Sequence, residues 1–205
     1  MGKIDFKKEY KNLFNPPSKE VVLVEVPSFN YLMVDGSGNP NTSQTYKDAV
    51  ETLFGVSYAL KFMVKKGKQA VDYGVLPLEG LWWADNPSSF VADDKDAWKW
   101  TAMIMQPTKF VTEATVKEAL EQLKKKKTLP ALAKLRFEEF QEGVSVQIMH
   151  LGPFSEEKAS IERMHSFIRQ NGYVPSGKHH EIYLSNPQKV APEKMKTVLR
   201  QPIKK

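Results

Sequence analysis

The chain is predicted to be α+β, a β-β-α-β-β unit present twice, with two related half-sheets about a pseudo-twofold axis and corresponding strands meeting across a shared cleft. Three observations lead there. Short runs rich in β-branched and aromatic residues alternate with stretches of helical apolar period. The order strand, strand, helix, strand, strand occurs in each half. Finally, "WWADNP", ending at Pro87, aligns with "IYLSNP", ending at Pro187, which sets Trp83 on Tyr183 and Leu81 on Glu181.

The elements follow in order. "KEVVLVEV" and "NYLMVDGSG" read as two strands joined at Pro27-Ser28, a hairpin-like start. From Ser43, Tyr46, Ala49, Val50, Leu53, Ser57, Leu60 and Val64 form one stripe of a long amphipathic helix, with Ser43 as N-cap and Gly67 as its stop. "AVDYGVLPLEGLWWA" and "DAWKWTAMIMQ" are apolar stretches that read as strands on either side of the polar loop from Asp85 to Lys95. Val116, Ala119, Leu120 and Leu123 mark a second helix from about Thr112 into the lysine run before Pro130.

The second half brings "AKLRFEEF", a Glu142-Gly143 turn and "VSVQIMHLG". A helix follows, capped by Ser155 with Glu156 and Glu157 in its first turn, striped by Ile161, Met164 and Ile168 and ended by Gly172. "KHHEIYLSNP" and "KTVLRQPI" close the chain as strands. The whole, 1–205, reads as one domain, with halves near 18–110 and 131–203 joined by a helix and lysine-rich linker near 112–130.

At 205 residues, with 41% hydrophobic and 11% aromatic content, the chain is long and apolar enough for a substantial core. No apolar run approaches a membrane span and the N-terminus lacks a secretion signal's apolar centre, so a cytoplasmic protein with no membrane partner is expected. "MGKIDF" also lacks the Ser or Thr of a myristoylation signal. With no cysteine, disulfides, thiol nucleophiles and thiolate metal sites are excluded. The net charge of +6 is carried in scattered lysine clusters without arginine-aromatic interleaving, so no specific nucleic-acid partner is expected.

Along "HHEIYL" the strand period sets His179, Glu181 and Tyr183 on one face and His180, Ile182 and Leu184 on the other. The second face is mainly apolar and is expected against a helix, which turns the first toward the cleft. A carboxylate, a phenol and the indole of Trp83 suit a flat, polarised or cationic ligand. Trp82 and Trp83 cannot share one buried face, so one of them has another role; which of them faces the ligand stays open. Trp98 and Trp100 read as core or pocket wall. Met33, Trp82, Trp83, Trp100 and His179 are the candidate ligand contacts, with Glu181 and Tyr183 the candidate catalytic pair. His179 and His180 point apart on a strand, so no metal is expected. "DGSGNP" has no Gly-Lys-Ser/Thr and reads as a turn needing positive φ at Gly36 or Gly38. No Gly-x-Ser-x-Gly elbow is present, and no cofactor is expected.

"VPSFNYLMVDGSGNPN", "DYGVLPLEGLWWADN" with "WKWTAMIMQP", and above all "GPFSEE...IERMHSFIRQNGYVPSGKHHEIYLSNP" resemble the GyrI-like small-molecule-binding domain family within the GyrI/SOUL-type superfamily. The resemblance implies duplicated β-α-β-β units, an antiparallel sheet with helices on one side, and a ligand cleft between the halves with Glu181 on its floor. In regulators of this superfamily the domain binds lipophilic cations and is fused to a DNA-binding module, whereas only about 20 residues precede the first strand here. Stand-alone members include hydrolases that open the cyclopropane ring of flat DNA-alkylating natural products. The resemblance thus implies a binder of planar or lipophilic cationic xenobiotics, with cyclopropane hydrolysis as an added activity; a sequestering module without catalysis, or a gyrase-inhibitor-like protein partner, are the alternatives.

Overall fold

The computed structural model describes residues 2–68, 70–86 and 94–205; Pro87, which closes the first aligned Asn-Pro turn, lies outside them. The chain has an α+β fold of two compact units. The first comprises Met1–Phe6, Phe29–Leu78 and Trp82–Phe140, the second Lys7–Ser28, Glu79–Leu81 and Gln141–Lys205.

In the first unit, strands β2 (Phe29–Ser37), β4 (Lys99–Gln106) and β5 (Arg136–Phe140) form an antiparallel sheet with β2 in the middle. Helix α3 (Gln44–Lys66) packs on β2 and β4, and a further helix, α4 (Glu113–Lys124), packs on α3. The Ser43 side chain accepts from the Tyr46 N–H and Gly67 is the C-cap, as the sequence predicts. Leu32 stands opposite Ile104 and Val34 opposite Ala102, one strand face in register. That face is the one α3 covers, since the amide of Gln106 donates to Ser57 on the helix at 3.1 Å. Of the two candidate glycines only Gly38 has positive φ, +91°. Gly36 is required for another reason: the Trp100 indole lies 2.2 Å from where a Cβ would sit.

In the second unit β1 (Val22–Val26) pairs with β6 (Gly143–Leu151), β6 with β9 (Lys196–Lys204), and β9 with both β7 (Val174–Pro175) and β8 (His179–Tyr183), all antiparallel. Helix α5 (Lys158–Gln170) covers β6 and β9, where Val146, Ile148, Met164, Ile168, Leu199 and Ile203 form a buried cluster. Two short helices, α1 (Phe6–Glu9) and α2 (Lys11–Phe14), precede β1, and strand β3 (Leu78–Trp83) contributes Glu79–Leu81 to this unit and its remaining residues to the first.

Two local expectations change. The hairpin-like start does not form: β1 pairs with β6, and β2 with β4 and β5. A two-residue hairpin link needs positive φ, which Gly and Asn supply, and Pro27-Ser28 does not. Ser155 is not the cap of α5 either. After Pro153 the chain makes a 3-10 turn over Phe154–Glu156, and the helix starts at Lys158 with Glu157 at its N-cap.

Candidate functional site

Strand β8 is five residues long and pairs with β9, Glu181 standing opposite Leu199 and Tyr183 opposite Thr197. Directly opposed residues project to the same side of a sheet. Leu199 belongs to the cluster packed under α5, so His179, Glu181 and Tyr183 share the α5 face. This reverses one expectation. The helix lies on the side of the polar trio, and His180 and Ile182 look the other way. A strand with two adjacent histidines and few aliphatics does not declare its buried face; the apolar residues of β9 and β6 do.

The trio is one constellation. The Tyr183 hydroxyl donates to Glu181 Oε2 at 2.8 Å, and His179 Nε2 lies 3.4 Å from Oε1. The Glu181 side chain is 13% exposed, shielded but reachable. Phe154 packs edge-on against the Tyr183 ring, with centroids 5.6 Å apart. His165, on α5, is held below the usual imidazole range by burial first, then by the charges of His179 and Arg169. The structure adds two residues that sequence reasoning missed, Phe154 and Thr197. The Thr197 hydroxyl is fully buried and has no hydrogen-bond partner among the described residues.

The other candidate residues lie in the first unit. Trp82 is 3% exposed, with its ring 5.8 Å from Tyr46 of α3 and 5.6 Å from Trp98. Trp100 stands edge-on to Tyr46 at 5.0 Å and covers Gly36. Both belong to an aromatic core beside the first turn of α3. Trp83 is half-buried. Met33 is buried on the sheet face away from α3, where its sulfur accepts from Arg136 Nη1 at 3.2 Å.

Behind the trio, on the opposite face of β8, lies a chain of buried charges. His180 Nε2 meets Glu79 Oε2 at 3.0 Å, and its Nδ1 meets Glu142 Oε1 at 2.9 Å. The other oxygen of Glu142 binds Arg200 Nη1 at 2.8 Å. Arg200 also donates from Nε to Gln147 and from Nη2 to the Leu13 carbonyl, and Gln147 donates to the Asn12 carbonyl. All four ionic side chains are at most 3% exposed. Burial disfavours the imidazolium, but the charge and hydrogen bonds of Glu142 and Glu79 outweigh it and push His180 up to about 9. Burial likewise works against the Glu142 carboxylate, and His180 and Arg200 overcome it and hold the group down at about 2. The sequence carries a weak signal for this network: a second histidine beside Ile182, and an arginine between Val198 and Pro202 on one strand face. No group of three or more His, Cys, Asp or Glu suited to a metal occurs among the described residues, and no helix there is long and apolar enough to cross a membrane.

The sequence profile of the GyrI-like small molecule binding domain matches residues 19–204. A crystal structure of an uncharacterized conserved protein from Listeria innocua superimposes with a TM-score of 0.89 at 43% identity, covering 98% of this chain and 100% of that one. A second, of a hydrolase from Listeria innocua, has a TM-score of 0.84 at 42% identity over 98% of this chain and 100% of that one. The EcmrR C-terminal domain shares the fold alone, at 11% identity and a TM-score of 0.56, covering 91% of this chain and 98% of that chain. No curated protein matches the sequence. With the profile running from just before β1 to the end of β9, the chain belongs to the GyrI-like small-molecule-binding family.

Proposed function

We propose that the protein binds flat aromatic or lipophilic cationic small molecules against Glu181 and Tyr183, and that it hydrolyses cyclopropane-bearing electrophiles among them. The observation that carries this reading is the Tyr183–Glu181 hydrogen bond of 2.8 Å beneath a carboxylate that is shielded yet reachable. The 42%-identical Listeria hydrolase supports the catalytic part.

In the reaction, a water oxygen bonds to a ring carbon while the strained carbon–carbon bond breaks. Its electron pair passes through the conjugated system to a carbonyl oxygen, which becomes a phenolate and takes a proton from solvent. Glu181 would accept the proton that the water loses, then release it. Because the Tyr183 hydroxyl proton is already directed at Oε2, Tyr183 fits best as the group that holds the carboxylate in place rather than as donor to the phenolate. Binding without catalysis is the second reading, favoured by the same contact: a carboxylate that accepts from a phenol is well placed as counter-charge to a cation.

Glu181→Gln decides between them, since it keeps size and reach while removing the charge and the basic oxygen. Under single-turnover conditions with saturating enzyme, hydrolysis of a cyclopropane-bearing substrate is expected to fall by about 10² to 10⁴ while its binding holds. Loss of affinity for a lipophilic cation alone would favour the binding module. Wild-type rates and affinities throughout would remove Glu181 from the site.

A further inference from the structure

His180, at the centre of the charges behind β8, is the sequence neighbour of Glu181 and faces the other way. We propose that His180, bracketed by Glu79 and Glu142, is a positioning residue: it fixes the register and facing of β8 and so presents Glu181 and Tyr183 on the α5 face. The part concerning ligands rests on the function proposed above; the part concerning the strand does not.

The strand's own pattern cannot set its facing. His179 and His180 are both buried, and between His179 and Tyr183 only Ile182 is aliphatic. A slip of one residue would turn every side chain to the other face. One direction carries Glu181 into the slot of His180, where it would join the carboxylates of Glu79 and Glu142, three acids beside the single guanidinium that binds Glu142 among the described residues. The opposite direction keeps an imidazole in the slot by bringing in His179, but moves Glu181 into the place of the fully buried Ile182. Only the observed register satisfies both faces.

Charge balance leads to the same residue. His180 stands directly opposite Arg200 across the β8–β9 pair, and like charges so placed repel. Glu142 bridges them, one oxygen to each, and Glu79 completes two anions against two cations. The titratable groups facing His180 are Glu79 from β3, Glu142 from the turn before β6 and Arg200 from β9; the segment before β1 supplies the Leu13 carbonyl to Arg200 and the Asn12 carbonyl to Gln147. His180 is pushed up to about 9, and its ring nitrogens lie 3.0 and 2.9 Å from carboxylate oxygens of Glu79 and Glu142. Buried ion pairs are poor sources of net stability, because apolar replacements of like volume are often as stable or more so, and their best-attested use is to specify registry.

The test is the paired change Glu79→Met with His180→Leu, which removes one anion and one cation and leaves the Glu142–Arg200 pair intact. Two readings are taken: the carbon-13 signal of the Tyr183 Cζ, assigned by its loss in Tyr183→Phe, and the affinity for tetraphenylphosphonium. The variant is expected to fold with a Tm near that of the wild type. Its Tyr183 signal should move as the bond to Glu181 loosens, and probe affinity should drop about tenfold, the scale of a lost supporting contact. Glu79→Gln alone, which keeps His180 and an acceptor beside it, should leave the Tyr183 signal nearer the wild-type position than the paired variant does, at some cost in Tm from the lost charge. A folded paired variant with the Tyr183 signal unmoved overturns the proposal. If the pair does not fold, nitrogen-15 spectra of histidine in the wild type at pH 7.5 stand in: two protonated ring nitrogens on His180 support the lock, and a neutral ring refutes it. If the wild type binds no probe while the Tyr183 signal moves as stated, the ligand reading fails and the strand lock stands.

Discussion

Trp82 and Trp83 are adjacent in sequence and differ in circumstance. Alternation along a strand guarantees that the two point apart, but it does not say which one goes inward; the Tyr46 and Trp98 rings against Trp82 decide that. Trp82→Ala should therefore cost about 3 to 5 kcal/mol of stability, as emptying a core tryptophan site does. Trp83→Ala should cost less, and should weaken binding of a planar ligand by about 1 to 3 kcal/mol if it stacks on it. Melting temperature and affinity measured on both variants separate the roles; a Trp83 variant that collapses with affinity intact would make that residue core as well. The same limit applies to Met33 and Trp100. Their residue types suit a ligand wall, but only the packing around them, Arg136 on one and Gly36 with Tyr46 on the other, places them in buried positions. His179, Glu181 and Tyr183 were legible as a group because period two alone puts them together.

At the scale of elements, helices were easier to read than strand partners. Helix α3 announces itself by its stripe, its cap and its stop, all local signals, and each is present in the fold. Its cap gives a clean measurement. Ser43→Ala removes the acceptor for the Tyr46 N–H and should destabilise the protein by about 1 kcal/mol, whereas Ser43→Gly should lose only a few tenths. Urea denaturation should show the midpoint falling with an unchanged slope; no shift for Ala would mean that water serves that N–H equally well. Strand pairing is non-local and leaves little trace in a short window. The runs that form β1 and β2 read as strands, yet nothing within either says that its partner is β6 or β4. The facing of β8 is hidden for a similar reason: the apolar residue that sets it, Leu199, sits on β9, about twenty residues further on.

For the molecule as a whole, the buried charges tie stability to pH on both sides. His180 is raised in the folded state, so its contribution is complete below its unfolded value of 6.5 and is lost as pH rises through about 9. Glu142 is depressed, so its contribution is complete above 4.5 and is lost as pH falls toward about 2. Both are at full strength between 4.5 and 6.5. His165, held low in the fold, adds stability as pH rises toward 6.5, so thermal unfolding across pH should find the best stability at the upper end of that window, with an alkaline decline from His180 of at most one proton's worth, about 1.4 kcal/mol per pH unit. Glu79→Met with His180→Leu should flatten that decline, and an unchanged alkaline slope in the pair would mean that other groups cause it.

The crossed pairing of the outer strands reaches beyond stability. A break anywhere in the Lys124–Lys127 run would leave β1 to β4 on one fragment and β5 to β9 on the other. The first fragment would then carry β1, whose partner β6 is on the second, and the second would carry β5, whose partner β2 is on the first. Neither piece could finish its own sheet, and each would hold the edge that the other needs. Such pieces are complementing halves in the sense used for split reporters: separately they expose unpaired strand edges, which invite aggregation, and together they rebuild the fold through two reciprocal strand exchanges.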